Sequence, residues 1–160
     1  MLLKVFCNFV LLIFYTLNST IENFKYKDSL IKEYDNWVVL LRPKQVTLGS
    51  LVIICKEGVE SMSLMSEESS SEFFVVVREL ESVMESVFKY DKINYLALMM
   101  VDKHVHFHVL PRYSKPVLFK GVTYQDVNWP TAPDLSEVVE FDKEDLNELR
   151  LVISKHFLKC

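Results

Sequence analysis

Apolar residues recur every third or fourth position from Phe73 through Val76, Val77, Leu80, Val83, Met84, Val87 and Phe88. That spacing predicts a helix of about six turns with one apolar face, running to Lys89. Ser66 is its predicted cap, and Glu67 and Glu68 suit the positive end of the helix dipole. Ser69 with Glu72 offers a second capping-box register. Upstream, "DNWVVLLR" (35–42) and "GSLVIICK" (49–56) are β-branched and aromatic runs separated by "PKQVTL". They predict two antiparallel strands joined by a loop. Downstream, "INYLALMM" (93–100) predicts a strand, with "VDK" as a tight turn into "HVHFHVLPR" (104–112). Pro111 edges or ends that second strand. Residues 114–141, with Pro116, Gly121, Pro130 and Pro133, predict a long irregular stretch of the kind that carries function. Asp142 then caps a last helix with Leu146, Leu149, Val152, Ile153 and Phe157 on one side. The sum is an α+β fold: an antiparallel sheet of about five strands, one long helix packed on it, and a C-terminal helix.

Composition narrows the class. A chain of 160 residues, half hydrophobic and a quarter charged, with 3 Gly and 5 Pro, is globular and long enough for a real core. The net charge of -4 excludes the basic footprint of a protein that binds a nucleic-acid polymer. A phosphate can still be held locally, so a small nucleotide ligand fits. Cys7, Cys55 and Cys160 form no CxxC and no disulfide framework, and read as thiols in a reducing compartment.

The N-terminus is separate in character. "MLLKVFCNFVLLIFYTL" holds an apolar run from Val5 to Leu17. It is too short to span a bilayer, which needs about 20 residues, and matches the core of a signal peptide. No small-x-small cleavage site follows it. Three readings stand: an uncleaved anchor or signal, an extension from an upstream start codon, or a helix packed on the domain. The chain accordingly divides into an apolar segment, 1–20, and a single domain, 21–160. The domain reads as cytoplasmic, with export or membrane anchoring through residues 1–20 as the alternative. "NST" at 18–20 also spells a glycosylation sequon.

Three of the four histidines, His104, His106 and His108, fall at alternate positions. On a strand they share one face, roughly 6.6 Å apart, while Val105, Phe107 and Val109 point into a core. A buried structural histidine explains one such residue better than three. Two chemistries explain the row. Three imidazoles can ligate zinc, with water completing the site. Alternatively, a neutral imidazole attacks phosphorus and forms a covalent intermediate. Its neighbours then donate to phosphate oxygens and move a proton, with no metal required.

"HVHFHVLPRY" resembles the signature of the histidine triad (HIT) family, His-φ-His-φ-His-φ-φ with φ hydrophobic, matching from His104 to Leu110. The resemblance covers about residues 22 to 115. It implies that His106 attacks the α-phosphate of a nucleotide conjugate and that water or another acceptor releases the mononucleotide. It also implies that His104 and His108 hold phosphate oxygens and assist the leaving group. Family substrates are nucleoside phosphoramidates and dinucleoside polyphosphates; members are usually homodimers and need no cofactor.

The chain departs from the family pattern at three places. Ser50 stands where many members have a histidine. Arg42 stands where many have an acidic or amide residue near the ribose, and Met99, Met100 and Val101 replace a polar loop before the triad. Arg42, Ser50 and Arg112 are candidate phosphate contacts, each arginine equally suited to a surface salt bridge. Trp129 is a candidate for stacking on a base or for packing a loop. A metal-dependent hydrolase using the three histidines as ligands, and a nucleotide-binding module without turnover, are the alternatives to the nucleophile reading. Membrane association enters only if residues 1–20 are a real anchor.

Overall fold

The two strands at the centre of the sheet have no polar face. In the computed structural model, which describes residues 18–157, β2 (Trp37–Leu41) and β3 (Leu51–Cys55) are buried at every position. A strand with no polar alternation must be covered on both sides. Trp37, Val39, Leu41, Leu51 and Ile53 face one core, while Val38, Leu40, Val52 and Ile54 face another.

The first core is closed by α3 (Glu67–Phe88) and α4 (Lys143–Phe157). Val76, Leu80, Val83 and Met84 of α3 meet Leu149, Ile153 and Phe157 of α4 there. Ser66 caps α3 by accepting from the Ser69 backbone N–H at 3.1 Å. Glu72 makes no capping box. Its carboxylate instead takes the backbone N–H groups of Asp35 and Asn36 at 3.1 and 2.7 Å, tying the helix to the turn before β2. Asp142 caps α4 through the Asp145 N–H at 2.8 Å. Gly49, at φ +83°, lies where a Cβ would come within 2.8 Å of the Phe88 ring. Its turn therefore requires glycine both for backbone conformation and for space.

The second core is closed by two short helices, α1 (Ser19–Asn23) and α2 (Tyr26–Ser29), which bring Ile21 and Phe24 over the sheet. Neither helix was anticipated from periodicity, nor was β1 (Leu30–Glu33). The five-stranded sheet runs β1-β2-β3-β5-β4 and is antiparallel throughout. It is completed by β4 (Lys92–Leu96) and β5 (His106–Arg112).

Two predicted segments are corrected. The strand expected over 93–100 ends at Leu96, and Met99 takes φ +41°. Leu98, Met100 and Val101 are exposed, so the chain makes an excursion rather than a tight "VDK" turn. The stretch 114–141 is not wholly irregular. It contains a hairpin of β6 (Val117–Phe119) and β7 (Val122–Tyr124) around Lys120 and Gly121. Both turn residues have positive φ, as a two-residue hairpin loop demands.

Residues 1–17, with the apolar run and Cys7, lie outside the described residues, as does Cys160. Among the described residues no helix is long and apolar enough to cross a membrane. The residues just after the apolar run are built into the domain. Asn18 is buried and its amide donates to the Cys55 carbonyl at 2.8 Å, so the sequon's side chain is enclosed.

Candidate functional site

Strand β5 separates its residues as period two requires. Val105, Phe107 and Val109 enter the core beneath α3, and His106 and His108 face the opposite side, under Phe24. His106 lies opposite Ile54 of β3, and His108 opposite Val52. The two imidazoles meet edge to face, with centroids 5.0 Å apart and planes at 89°. The Phe24 ring lies 6.1 Å from His106 and 5.8 Å from His108.

The third histidine is near the row but off the ladder. His104 precedes β5, is half-buried, and its Nδ1 lies 3.1 Å from the Thr20 hydroxyl of α1. Its carbonyl carries the more consequential contact. His106 Nδ1 lies 2.7 Å from His104 O. A carbonyl only accepts, so Nδ1 must hold the hydrogen in that bond. In the neutral ring the lone pair is then on Nε2. The backbone thereby fixes the tautomer with a nucleophilic Nε2.

His108 is held neutral. Burial pushes its pKa down to about 4, helped by His106 and by the Arg42 charge, with Asp102 opposing weakly. Its Nδ1 is buried with no partner. Asp102 itself accepts from the Asn23 amide at 2.8 Å, joining the loop before β5 to α1.

A cleft of about 780 Å³ opens beside this row, with Phe24, Arg42 and Asp102 on its wall. The imidazoles lie behind Phe24 and Arg42 rather than on the lining. His106 is only 1% exposed. Arg42 reaches the cleft as predicted for an anion contact. Its Nη1 donates to Lys44 O, its Nε is buried without a partner, and burial lowers its pKa.

The other three substrate-binding candidates are placed elsewhere. Ser50 is fully buried and holds the β2–β3 loop. Its Oγ donates to Thr47 O at 2.7 Å and accepts from Thr47 N at 3.0 Å, while Gln45 brackets its backbone at 2.8 and 2.9 Å. Arg112 is neither a surface ion pair nor a phosphate ligand. It is 3% exposed and forks onto Asp126 at 2.6 and 3.1 Å, with further bonds to Asn94 and Thr131. It sits six residues along β5 from His106, about 20 Å away. Trp129 is half-buried on a separate cleft of about 440 Å³ beside Arg112, so it does not share the histidine site.

Thr20 and Phe24 were missed because they fall in short elements with no periodic signal. The lysines of "ENFKYKD" were the one available hint. Among the described residues, no three His, Cys, Asp or Glu side chains converge on a metal position.

Solved structures share this fold. A histidine triad protein from Marinobacter aquaeolei VT8 superposes with TM-score 0.68 at 18% identity, covering 86% of this chain and 94% of that one. A hypothetical histidine triad nucleotide-binding protein from Sulfolobus tokodaii strain 7 gives 0.62 at 19%, with coverage of 82% and 84%. The diadenosine triphosphate hydrolase of Plasmodium falciparum, solved with cyclomarin A, gives 0.60 at 10%, with coverage of 89% and 97%. At these identities the likeness is one of fold. No curated protein matches the chain in sequence. The sequence profile of the HIT domain matches residues 23–115, a span that holds Phe24, Arg42 and all three histidines and ends just past β5. With more than half of its length under that profile, the chain belongs to the HIT domain family.

Proposed function

We propose that the protein is a nucleotidyl hydrolase or transferase acting through a covalent nucleotidyl-histidine on His106. The observation that carries this reading is the 2.7 Å bond from His106 Nδ1 to His104 O, which leaves Nε2 with its lone pair. Nε2 attacks the α-phosphorus of a nucleotide conjugate, such as a phosphoramidate or a dinucleoside polyphosphate, and the bond to the leaving group breaks. The leaving group departs with a proton from His104 or solvent. Water then attacks the same phosphorus, the P–N bond breaks, and its electron pair returns to Nε2. His108, neutral and with an unpaired Nδ1, is suited to a non-bridging oxygen. None of these steps needs a cofactor.

Intact-mass measurement after mixing with a panel of nucleotide conjugates tests the reading. A nucleotidyl adduct on the wild type, absent from His106→Ala, is expected; retained adduct in the variant would sink it. A second reading, nucleotide binding without turnover, has one observation in its favour: Phe24 covers an imidazole that is 1% exposed. Binding with no adduct from any conjugate would select it.

We also infer a homodimer formed through the β4 edge. That strand is half-exposed at the end of the sheet and adjoins exposed Leu98, Met100 and Val101, an arrangement that invites pairing. Sedimentation of the full chain as a monomer would refute it.

A further inference from the structure

The cleft beside the histidines is basic in an acidic protein. Six cations line it: Lys25, Lys27, Arg42, Lys44, Lys143 and Arg150. Only three carboxylates do so, Asp28, Asp102 and Asp142. The local balance is therefore +3, six minus three, against -4 for the chain. Two of the carboxylates already serve other groups, since Asp102 accepts from Asn23 and Asp142 caps α4. None of the six cations lies within 4 Å of a carboxylate among the described residues. Convergent cations repel one another unless an anion sits between them.

Two features tie this cluster to the reaction centre and to this chain. Arg42 lines the cleft and also lowers the pKa of His108 through its charge, while its own Nε is buried without a partner. Phe24 lines the cleft and packs on both β5 imidazoles. The far wall comes from one face of α4, where Lys143, Leu146, Asn147 and Arg150 recur at helical spacing. Arg150 is braced there by bonds to the Leu30 carbonyl at 3.2 Å and to Asn147. Helix α4 lies beyond the span matched by the family profile, so this wall is a property of the present chain.

We propose that the cleft binds an oligophosphate group, two or more linked phosphates, on the leaving side of the substrate. The inference rests on the nucleotidyl-transfer reading for what happens at His106, but binding in the cleft does not depend on it. A single phosphate would meet only a fraction of cations spread between α2 and α4. A linked chain of phosphates, carrying one charge or more each, meets several at once and enters from the side where a leaving group departs.

Calorimetric titration of the full chain with inorganic tripolyphosphate is the direct test, with Lys143→Glu and Lys155→Glu compared. Both lysines are exposed on α4, and Lys155 is not on the cleft. Tripolyphosphate should bind the wild type, weaken as salt rises, and bind Lys143→Glu about tenfold more weakly. Lys155→Glu should match the wild type. In turnover, Lys143→Glu should lower kcat/KM about tenfold for a conjugate with an oligophosphate leaving group. For one with an amine leaving group, kcat/KM should hold. No binding of tripolyphosphate, equal weakening by both substitutions, or equal loss on both conjugates overturns the proposal. If no conjugate gives a nucleotidyl adduct on the wild type, the function above has failed, and the titration alone decides the cleft.

Discussion

The two ends of β5 treat buried polar groups in opposite ways. At its C-terminal end Arg112 is enclosed with every donor engaged, by Asp126, Asn94 and Thr131. At its N-terminal end His108 Nδ1 is enclosed with nothing to bond, and the neighbouring Arg42 Nε is in the same condition. Four buried side-chain polar atoms lack a partner among the described residues, and the two nitrogens among them both lie here. Buried polar groups are ordinarily satisfied, and an exception calls for a reason. The satisfied end fixes the strand and the tail against it. The unsatisfied end keeps donors in reserve for a ligand.

The largest expected effect separates the ends by chemistry. His106→Ala removes the attacking nitrogen, so single-turnover release of mononucleotide should fall by about 10⁴ or more. Chemical denaturation should show little change, because the ring's bond to the His104 carbonyl is local. Turnover retained within tenfold of the wild type would place the nucleophile elsewhere.

The opposite end should answer in stability. Asp126→Ala leaves Arg112 charged, 3% exposed and without its carboxylate. Breaking a buried pair in this way costs about 3–5 kcal/mol, enough to lower the denaturation midpoint sharply. If the variant folds, His106 chemistry should persist per folded molecule, since about 20 Å of strand separates the two. A loss below 1 kcal/mol would mean that the pair is not the tail's anchor.

A third effect is set by pH. The folded-state pKa of His108 is about 4, below the ordinary histidine value near 6.5. The unfolded chain therefore binds the proton more readily between those values, and stability is lost as pH falls through that window. The loss from this group between pH 6.5 and 4.5 should be about 2 kcal/mol. His108→Gln removes the titrating group and should flatten that part of the profile. An unchanged slope in the variant would assign the acid sensitivity to other groups.

The same contrast explains what could be read from the sequence. Helices α3 and α4 were legible with their caps, because long periodic faces and Ser66 or Asp142 signals are local properties. Strands β2 and β3 were legible as runs, but their lack of polar alternation already required a second cover. That cover, α1 and α2, was not legible, since helices of four or five residues have little intrinsic stability and exist only because Ile21 and Phe24 find the sheet. Of the site, the histidines were legible from spacing and Arg42 from its place after β2. Arg112 was misjudged through proximity in sequence, although six strand residues carry it to the other end of the sheet. Ser50 was misjudged because a loop hydroxyl looks available until the Thr47 and Gln45 groups that use it are seen. The basic cleft is assembled from four separated segments, which no local pattern reveals.

The smallest effect concerns the one polar contact that the histidine end does satisfy. Thr20 is buried, and its hydroxyl lies 3.1 Å from His104 Nδ1. His104 in turn presents the carbonyl that sets the His106 tautomer. Thr20→Val keeps the shape and deletes the hydroxyl, a loss of about 1 kcal/mol of orientation. If that hydroxyl only packs α1, the loss should appear in the denaturation midpoint and leave kcat alone. If it positions the imidazole, kcat should fall about fivefold with KM nearly unchanged. Thr20→Ser, which restores the oxygen without the methyl, should then recover most of the rate. We expect the second pattern, because the Thr20–His104 contact joins α1 directly to the segment that carries the tautomer-setting carbonyl. A midpoint shift with full activity would return Thr20 to the role that Arg112 and Asp126 play at the other end: a polar group whose task is complete once the fold has closed.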